Sequence, residues 1–110
     1  MLANKSCVPC QRGAPALKNE EAHNLIKKTP DWEFLDNESK ICRKYLFKNF
    51  LEAMAFSNKV GEICESEGHH ADITFGWGYC SVLFYTHKIK GLHENDFIMA
   101  AKTDAIFNKI

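Results

Sequence analysis

Three histidines are the residues of this sequence that are most directly suited to catalysis. His69 and His70 are adjacent just after a helix-like run, and His87 closes a β-like run farther along the chain. An imidazole titrates near neutrality, with an ordinary pKa of about 6.5, so it can both donate and accept a proton. If the fold brings these rings to one pocket, the sequence predicts general acid/base chemistry.

Two carboxylates could support these rings. Glu65 precedes His69 by four residues, the spacing that stacks side chains along one helix face. Asp96 falls in the first turn of a predicted helix, where an acid is favoured by the macrodipole and by capping. Each acid also has a purely structural explanation. From spacing alone, the histidines could equally be exposed residues of a turn and of a strand end, with no catalytic role.

Apolar residues at helical spacing predict three helices. The predicted ranges are residues 17–28, 49–65 and 94–110. Thr29-Pro30 should end the first helix, because a residue before proline disfavours the α conformation. Asn49 is a plausible N-cap of the second helix, and Gly68 its stop.

Alternating runs predict two hairpins between these helices. The first comprises residues 32–35 and 41–48 around a polar turn, and the second residues 73–77 and 79–87 around Gly78. The element order is therefore α-β-β-α-β-β-α. The predicted class is α+β, with a four-stranded antiparallel sheet and three helices packed on one face.

Length and charge limit the functional classes. At 110 residues the chain should form one domain over residues 16–110, after an extended leader over residues 1–15. Lysine plus arginine equals aspartate plus glutamate, at 14 each, which argues against direct nucleic-acid binding. No apolar run is long enough for a membrane span, and residues 1–10 lack a signal-peptide core. We expect a cytoplasmic protein with no membrane association.

The cysteine spacing offers a rival, metal-binding interpretation. Cys7 and Cys10 could share a zinc ion, but the second half of such a site is missing and His23 is the only nearby candidate. His69 and His70 are poor partners for one ion, because adjacent side chains point in different directions in regular backbone. A structural or incidental role is favoured for the two cysteines, and no metal is expected.

The combined motif resembles one enzyme family. It reads Glu65-x-x-x-His69-His70, followed by Thr86-His87-x-x-x-Gly91-Leu92-x-x-x-Asp96. Trp32 and the run Tyr45-x-Phe47-Lys48-Asn49-Phe50 extend the likeness upstream, over roughly residues 16–106. This pattern is similar to that of the pterin-4a-carbinolamine dehydratases, some of which also serve as dimerisation cofactors of a homeodomain transcription factor.

The resemblance implies an enzyme that removes water from a 4a-hydroxytetrahydropterin and gives a quinonoid dihydropterin. It implies His69 and His87 as the acid/base pair, His70 as a pterin-binding residue that can shuttle protons, and Glu65 and Asp96 as supporting residues. It implies no cofactor, and an aromatic amino acid hydroxylase as functional partner. The chemistry agrees, because one acid for the leaving hydroxyl and one base for the N5 proton suffice, each worth about 10² to 10⁴ in rate.

Two alternatives stay open. The chain could be a non-catalytic protein-interaction module, as for the transcriptional coactivators of this family, or it could handle a pterin in molybdopterin metabolism. Leu83 and Tyr85 place apolar residues on the outer sheet face, which predicts a homodimer or homotetramer. Trp32 and Trp77 could stack on a flat pterin, but a role in the core is favoured.

Two positions depart from the family pattern. Ala71 stands where most members have proline, so His70 loses the restriction that proline places on its predecessor. His93 stands where a serine or threonine commonly caps the third helix, a change expected to cost about 1 kcal/mol unless the backbone compensates. Neither removes a named catalytic group.

Overall fold

The computed structural model describes residues 1–9 and 15–110, and within them the predicted α+β order is confirmed. The elements are α1 (Asn19–Ile26), β1 (Glu33–Leu35), β2 (Lys40–Leu46), α2 (Phe50–Glu67), β3 (Asp72–Gly76), β4 (Tyr79–Phe84) and α3 (Glu94–Asn108). The strands form one antiparallel sheet in the order β1-β2-β4-β3. Over residues 1–9 and 15–110, no helix has both the length and the apolar content that crossing a bilayer requires.

The two central strands supply the inner face of the sheet. Ile41 pairs with Phe84 and Tyr45 with Cys80, and all four side chains are buried beneath α2 and α3. Lys44 lies on the outer face and is exposed. This alternation follows from the two-residue period of a strand and places the helices on one face of the sheet, as predicted.

Helix α2 has the caps that the sequence indicates. The Asn49 Oδ1 atom accepts a hydrogen bond from the Glu52 backbone N–H at 2.9 Å. Gly68 adopts a left-handed conformation with φ of 65°, which a residue without a Cβ adopts readily. The helix runs two residues past the predicted end, to Glu67. Burial raises the pKa of the Cys64 thiol in its last turn.

A polar cluster fixes the C-terminal half of α3 against the sheet. One carboxylate oxygen of Asp104 accepts hydrogen bonds from the Trp32 Nε1–H at 3.0 Å and from Arg43 at 2.7 Å, and the Tyr45 hydroxyl donates to it as well. Burial and the neighbouring Asp104 hold the pKa of Tyr45 well above its ordinary value. These bonds satisfy the indole N–H of Trp32 deep in the core, where an unpaired donor would be costly.

Several predicted element boundaries were wrong. Helix α1 is shorter than residues 17–28 at both ends. Strand β4 ends at Phe84 instead of residue 87, because Thr86 forms an isolated bridge with Gly91 and the chain then enters a 3₁₀ turn, His87–Ile89. His87 therefore lies on a turn beyond the strand.

The described part of the leader packs against the domain. Leu2–Asn4 forms one 3₁₀ turn, and the Leu2 side chain is buried in the core cluster. The backbone is extended again at Lys5. Residues 10–14, which include Cys10, lie outside the described residues.

Candidate active site

The end of α2 determines where the first two histidines point. The Gly68 N–H donates to the Cys64 and Glu65 carbonyls, and the His69 N–H also bonds to the Cys64 carbonyl at 3.1 Å. The left-handed Gly68 reverses the chain at this point. As a result, the His69 side chain is directed into the protein and is 9% exposed, whereas His70 remains exposed.

A buried carboxylate holds His69. The His69 Nε2 atom lies 2.6 Å from the Asp96 Oδ1 atom, and Asp96 is fully buried. The other carboxylate oxygen, Oδ2, accepts from the Thr86 hydroxyl at 2.8 Å and from the His93 backbone N–H at 3.0 Å. Three donors thus offset the desolvation of one buried carboxylate. Because Nε2 is engaged, Nδ1 is the nitrogen that His69 can offer to a bound molecule.

Asp96 reaches His69 because of its place in α3. It is the third residue of the helix and closes a capping box with His93, whose Nδ1 atom accepts from the Asn95 backbone N–H at 3.0 Å. The histidine that replaces the usual serine or threonine therefore still caps the helix through its own side chain. The cost that the sequence suggested at this position is avoided by His93 itself.

The spacing of four suggested that Glu65 pairs with His69, but in the structure Glu65 pairs with His70 instead. Its Oε1 atom lies 2.6 Å from the His70 Nε2 atom, and both side chains are exposed. The spacing of four holds only within a continuous helix, and α2 ends between these residues. Glu65 therefore supports His70 from the surface, with the modest energy of a solvated ion pair.

His87 is positioned by ring stacking. Its ring lies parallel to that of Tyr85, with centroids 4.0 Å apart and planes 16° apart, at the start of the 3₁₀ turn. The Lys40 ammonium also sits over the Tyr85 ring, 4.7 Å from its centroid. The His87 ring contacts Tyr85 through its face. The ring nitrogens lie on the perimeter of the ring, so this stacking leaves them accessible to a ligand.

All three histidines line one cleft of about 390 Å³. Its other lining residues are Cys7, Val8, Pro9, Glu67, Gly68, Tyr85, Thr86 and Lys88. Asp96 lies behind His69 and does not line the cleft, and neither does Glu65. The volume is within the range of small-molecule sites, and the lining combines titratable side chains with apolar ones. The arrangement can exchange protons with a bound molecule of modest size.

The two tryptophans and His23 do not line this cleft. Trp32 is buried in the core and bonds to Asp104, whereas Trp77 is 72% exposed on the turn between β3 and β4. His23 pairs with Glu38 at 2.8 Å. In the part of the chain that the structure describes, no group of three or more histidine, cysteine and acidic residues is arranged to hold a metal ion. The Cys10 half of the predicted cysteine pair falls outside that part.

Sequence reasoning missed the contribution of the leader. Cys7, Val8 and Pro9 precede His69 by at least 60 residues and yet line the same cleft. The one signal that could have indicated this is apolar content in a segment otherwise rich in polar and turn-forming residues. Tyr85, predicted to lie on the outer sheet face, also stacks on His87 and lines the cleft.

Comparisons with known proteins match the segment that carries the predicted site residues. The family model described as pterin 4 alpha carbinolamine dehydratase matches residues 15–106, a range that contains all five predicted site residues. A Methylococcus capsulatus protein with the provisional name pterin-4-alpha-carbinolamine dehydratase is 58% identical over 105 residues, covering 96% of this chain and 92% of that protein. A relative from Azoarcus sp. with the same provisional name is 50% identical over 105 residues, covering 96% and 90%. A Brucella melitensis crystal structure, described as a transcriptional coactivator/pterin dehydratase, matches with a TM-score of 0.77 at 27% identity, covering 83% of this chain and 97% of that one.

Proposed function

This chain belongs to the pterin 4 alpha carbinolamine dehydratase family, and from that premise we propose that it removes water from a 4a-hydroxytetrahydropterin to give a quinonoid dihydropterin. The observation that carries the proposal is the shared cleft of His69, His70 and His87, with His69 held by a buried carboxylate. A cytoplasmic pterin-dependent hydroxylase of aromatic amino acids would supply the substrate.

The elimination requires two proton transfers and no change in oxidation state. An acid protonates the hydroxyl on C4a, the C–O bond breaks with its electron pair on the departing water, and a base takes the proton from N5. Two imidazoles, one charged and one neutral, provide both functions near neutral pH. We assign these roles to His69 and His87, which line the same cleft.

Asp96 is assigned a supporting role through His69. The Asp96 carboxylate accepts a hydrogen bond from the Nε2–H, fixes the tautomer and stabilises the imidazolium that forms when Nδ1 takes a proton. The bond is 2.6 Å long and fully shielded from water on the carboxylate side, so it is not screened by solvent. His70, exposed at the cleft and paired with Glu65, is assigned to binding the pterin.

The test is a rapid-mixing assay of 4a-hydroxytetrahydropterin breakdown. The protein should accelerate the reaction, and His69→Ala and His87→Ala should each lower kcat by about 10² to 10⁴. His23→Ala is the matched control, because His23 contacts Glu38 and Phe34 away from the cleft and should leave kcat unchanged. No acceleration by the folded, unmodified protein would refute the proposal. Pterin binding without turnover would favour a pterin-handling role such as one in molybdopterin metabolism.

We also propose that the chain forms a homodimer or homotetramer. Leu46 is 71% exposed on the outer sheet face, and Leu51 is 66% exposed at the start of α2. Large apolar side chains left in water favour association, since burial removes their area from solvent. Sedimentation equilibrium measures the assembly state, and a monomer at micromolar concentration would contradict this part of the proposal. The same exposed residues are where a protein-interaction role would be sought if the dehydratase assay failed.

A further inference from the structure

One wall of the cleft comes from outside the family domain. The family model begins at residue 15, and Cys7, Val8 and Pro9 all precede it. The match to the Methylococcus capsulatus relative covers 96% of this chain and must therefore include most of the leader. The leader is thus shared with that relative although the family model omits it.

The leader backbone is bonded directly to the helices that carry the site. The Asn95 side chain bonds to both backbone groups of one residue: its Oδ1 atom accepts from the Val8 N–H at 3.0 Å, and its Nδ2 atom donates to the Val8 carbonyl at 2.6 Å. The Cys7 N–H donates to the Glu67 Oε1 atom at 2.8 Å. Asn95 is 2% exposed, so its two bonds to the Val8 backbone are shielded from competing water.

Contacts nearer the N-terminus hold the same segment. Leu2 is buried in the core cluster. The Lys102 ammonium donates to the Ala3 carbonyl at 3.0 Å, and Lys5 pairs with Glu94 at 2.9 Å on the surface. The leader is therefore held to α3 at Ala3, Lys5 and Val8.

Two adjacent side chains in the first turn of α3 bond to different parts of the site. Asp96 bonds to the catalytic His69, and its neighbour Asn95 bonds to the leader at Val8. Movement of this turn would displace the histidine and the leader together. The position of the leader wall relative to the histidines is thus set by a single rigid element.

The leader wall is chemically suited to the face of a flat ring. The N–H groups of Cys7 and Val8 are already donated to Glu67 and Asn95, and Pro9 has none. The side chains of these lining residues are an isopropyl group, a pyrrolidine ring and a thiol, whose Sγ also lies 3.9 Å from the Asn95 carbonyl oxygen. Such a surface gives van der Waals contact to a π system, whereas the polar edge of a heterocycle would be left to the histidines.

We propose that the leader residues Cys7, Val8 and Pro9 form the apolar wall against which the pterin ring packs, and that Asn95 is the positioning residue that holds this wall. The inference rests on the proposed function for the identity of the ligand. Asn95 acts on substrate binding and not on proton transfer, since its side chain holds the Val8 backbone of the leader.

The test separates KM from kcat. Asn95→Ala removes both side-chain bonds to Val8 and should raise KM by about tenfold while kcat changes by less than about twofold. The pH dependence of kcat should be unchanged, because the bond between His69 and Asp96 is retained. Lys5→Ala is the matched control: it releases a solvent-exposed ion pair of the same leader and should leave both constants unchanged.

A second measurement uses Cys7 as a reporter that does not depend on turnover. Iodoacetamide labelling of Cys7 is followed by peptide mass spectrometry, with and without 6-methyl-7,8-dihydropterin. The pterin should slow labelling in the unmodified protein, and Asn95→Ala should speed labelling in its absence. If Asn95→Ala does not fold, Val8→Pro replaces it, because it removes the N–H that donates to Asn95 at an exposed position.

The outcomes distinguish this inference from the proposed function. An unmodified protein without dehydratase activity refutes the proposed function alone, because protection of Cys7 by the pterin is measured separately. Failure of the pterin to protect Cys7, or an unchanged KM in a folded variant whose Cys7 labels faster, overturns the inference. A raised KM together with faster labelling supports it.

Discussion

Replacement of Asp96 by asparagine tests the proposed roles of the buried carboxylate and His69. The carboxylate is fully buried and accepts from three donors, one on Oδ1 from His69 and two on Oδ2 from Thr86 and His93. An asparagine has the same shape, but it carries one acceptor oxygen and an NH₂ group that only donates. Its oxygen will stay with the His93 backbone N–H, which can only donate, and with the Thr86 hydroxyl beside it. The NH₂ group then faces His69.

An amide donor at this position reverses the tautomer of the imidazole. His69 must accept on Nε2, so its proton moves to Nδ1, the nitrogen that faces the cleft. The lone pair required of a base is then turned away from the substrate. General acid/base catalysis is worth about 10² to 10⁴ in rate, so we expect Asp96→Asn to lose most of that range. This corresponds to about 3 to 5 kcal/mol of activation free energy.

The assay compares kcat for 4a-hydroxytetrahydropterin breakdown in Asp96→Asn and Thr86→Val. The valine variant removes one donor to Oδ2 but keeps the charge and the acceptor for His69, so it should lose only about tenfold. Both should lower the free energy of unfolding by about 1 to 3 kcal/mol, measured by urea titration. Equal losses of kcat in the two variants, or wild-type kcat in a folded Asp96→Asn protein, would refute the tautomer argument.

Three further predictions concern the stability of the fold. Asp104→Ala should lower the free energy of unfolding by about 3 kcal/mol, since it leaves a guanidinium and two other donors without their acceptor, and a urea midpoint close to wild type would contradict this. His93→Ala should cost about 1 kcal/mol and His93→Ser almost nothing, because serine also accepts from the Asn95 N–H; equal thermal stability of the two variants would argue against capping by His93. Burial raises the pKa of Cys80 to about 11 from an ordinary thiol value of 9.0. The unfolded chain loses this proton first, so the free energy of unfolding should be constant below about pH 8 and fall as the pH rises toward 11, by at most about 1.4 kcal/mol per pH unit from this group; a flat profile would exclude the effect.

The sequence predicted the elements well where the local signal was self-contained. Asn49 and Gly68 bound α2 as capping chemistry requires, and the predicted turn at Gly78 joins β3 to β4. It could not predict the partner of each acid. Whether Glu65 meets His69 or His70 depends on the backbone angle of one glycine, and a pattern of residue types does not contain that angle.

Contacts between distant segments could not be predicted from the sequence for a related reason. The cluster at Asp104 joins residues 59 to 72 positions apart, and the leader meets α3 across 87 positions. No periodicity links such positions, because their proximity arises only when the whole sheet and its helices are assembled. The cleft was therefore predicted from its three histidines alone, without its leader wall.

The two acids of α3 that bond to other elements, Asp96 and Asp104, differ in what balances their negative charge. This difference explains why a structural role is assigned to Asp104 and a catalytic supporting role is proposed for Asp96. Asp104 is bonded to the Arg43 guanidinium, a fixed positive charge, so its own charge is already balanced. The described partners of Asp96 are a hydroxyl, a backbone amide and an imidazole. Of these only the imidazole of His69 can gain a charge, and it does so by taking a proton. A buried, unbalanced carboxylate favours that gain, because a charge without a counterion is costly in the interior. Of the two acids, Asp96 is therefore the one whose environment improves when a proton moves from a bound molecule to His69.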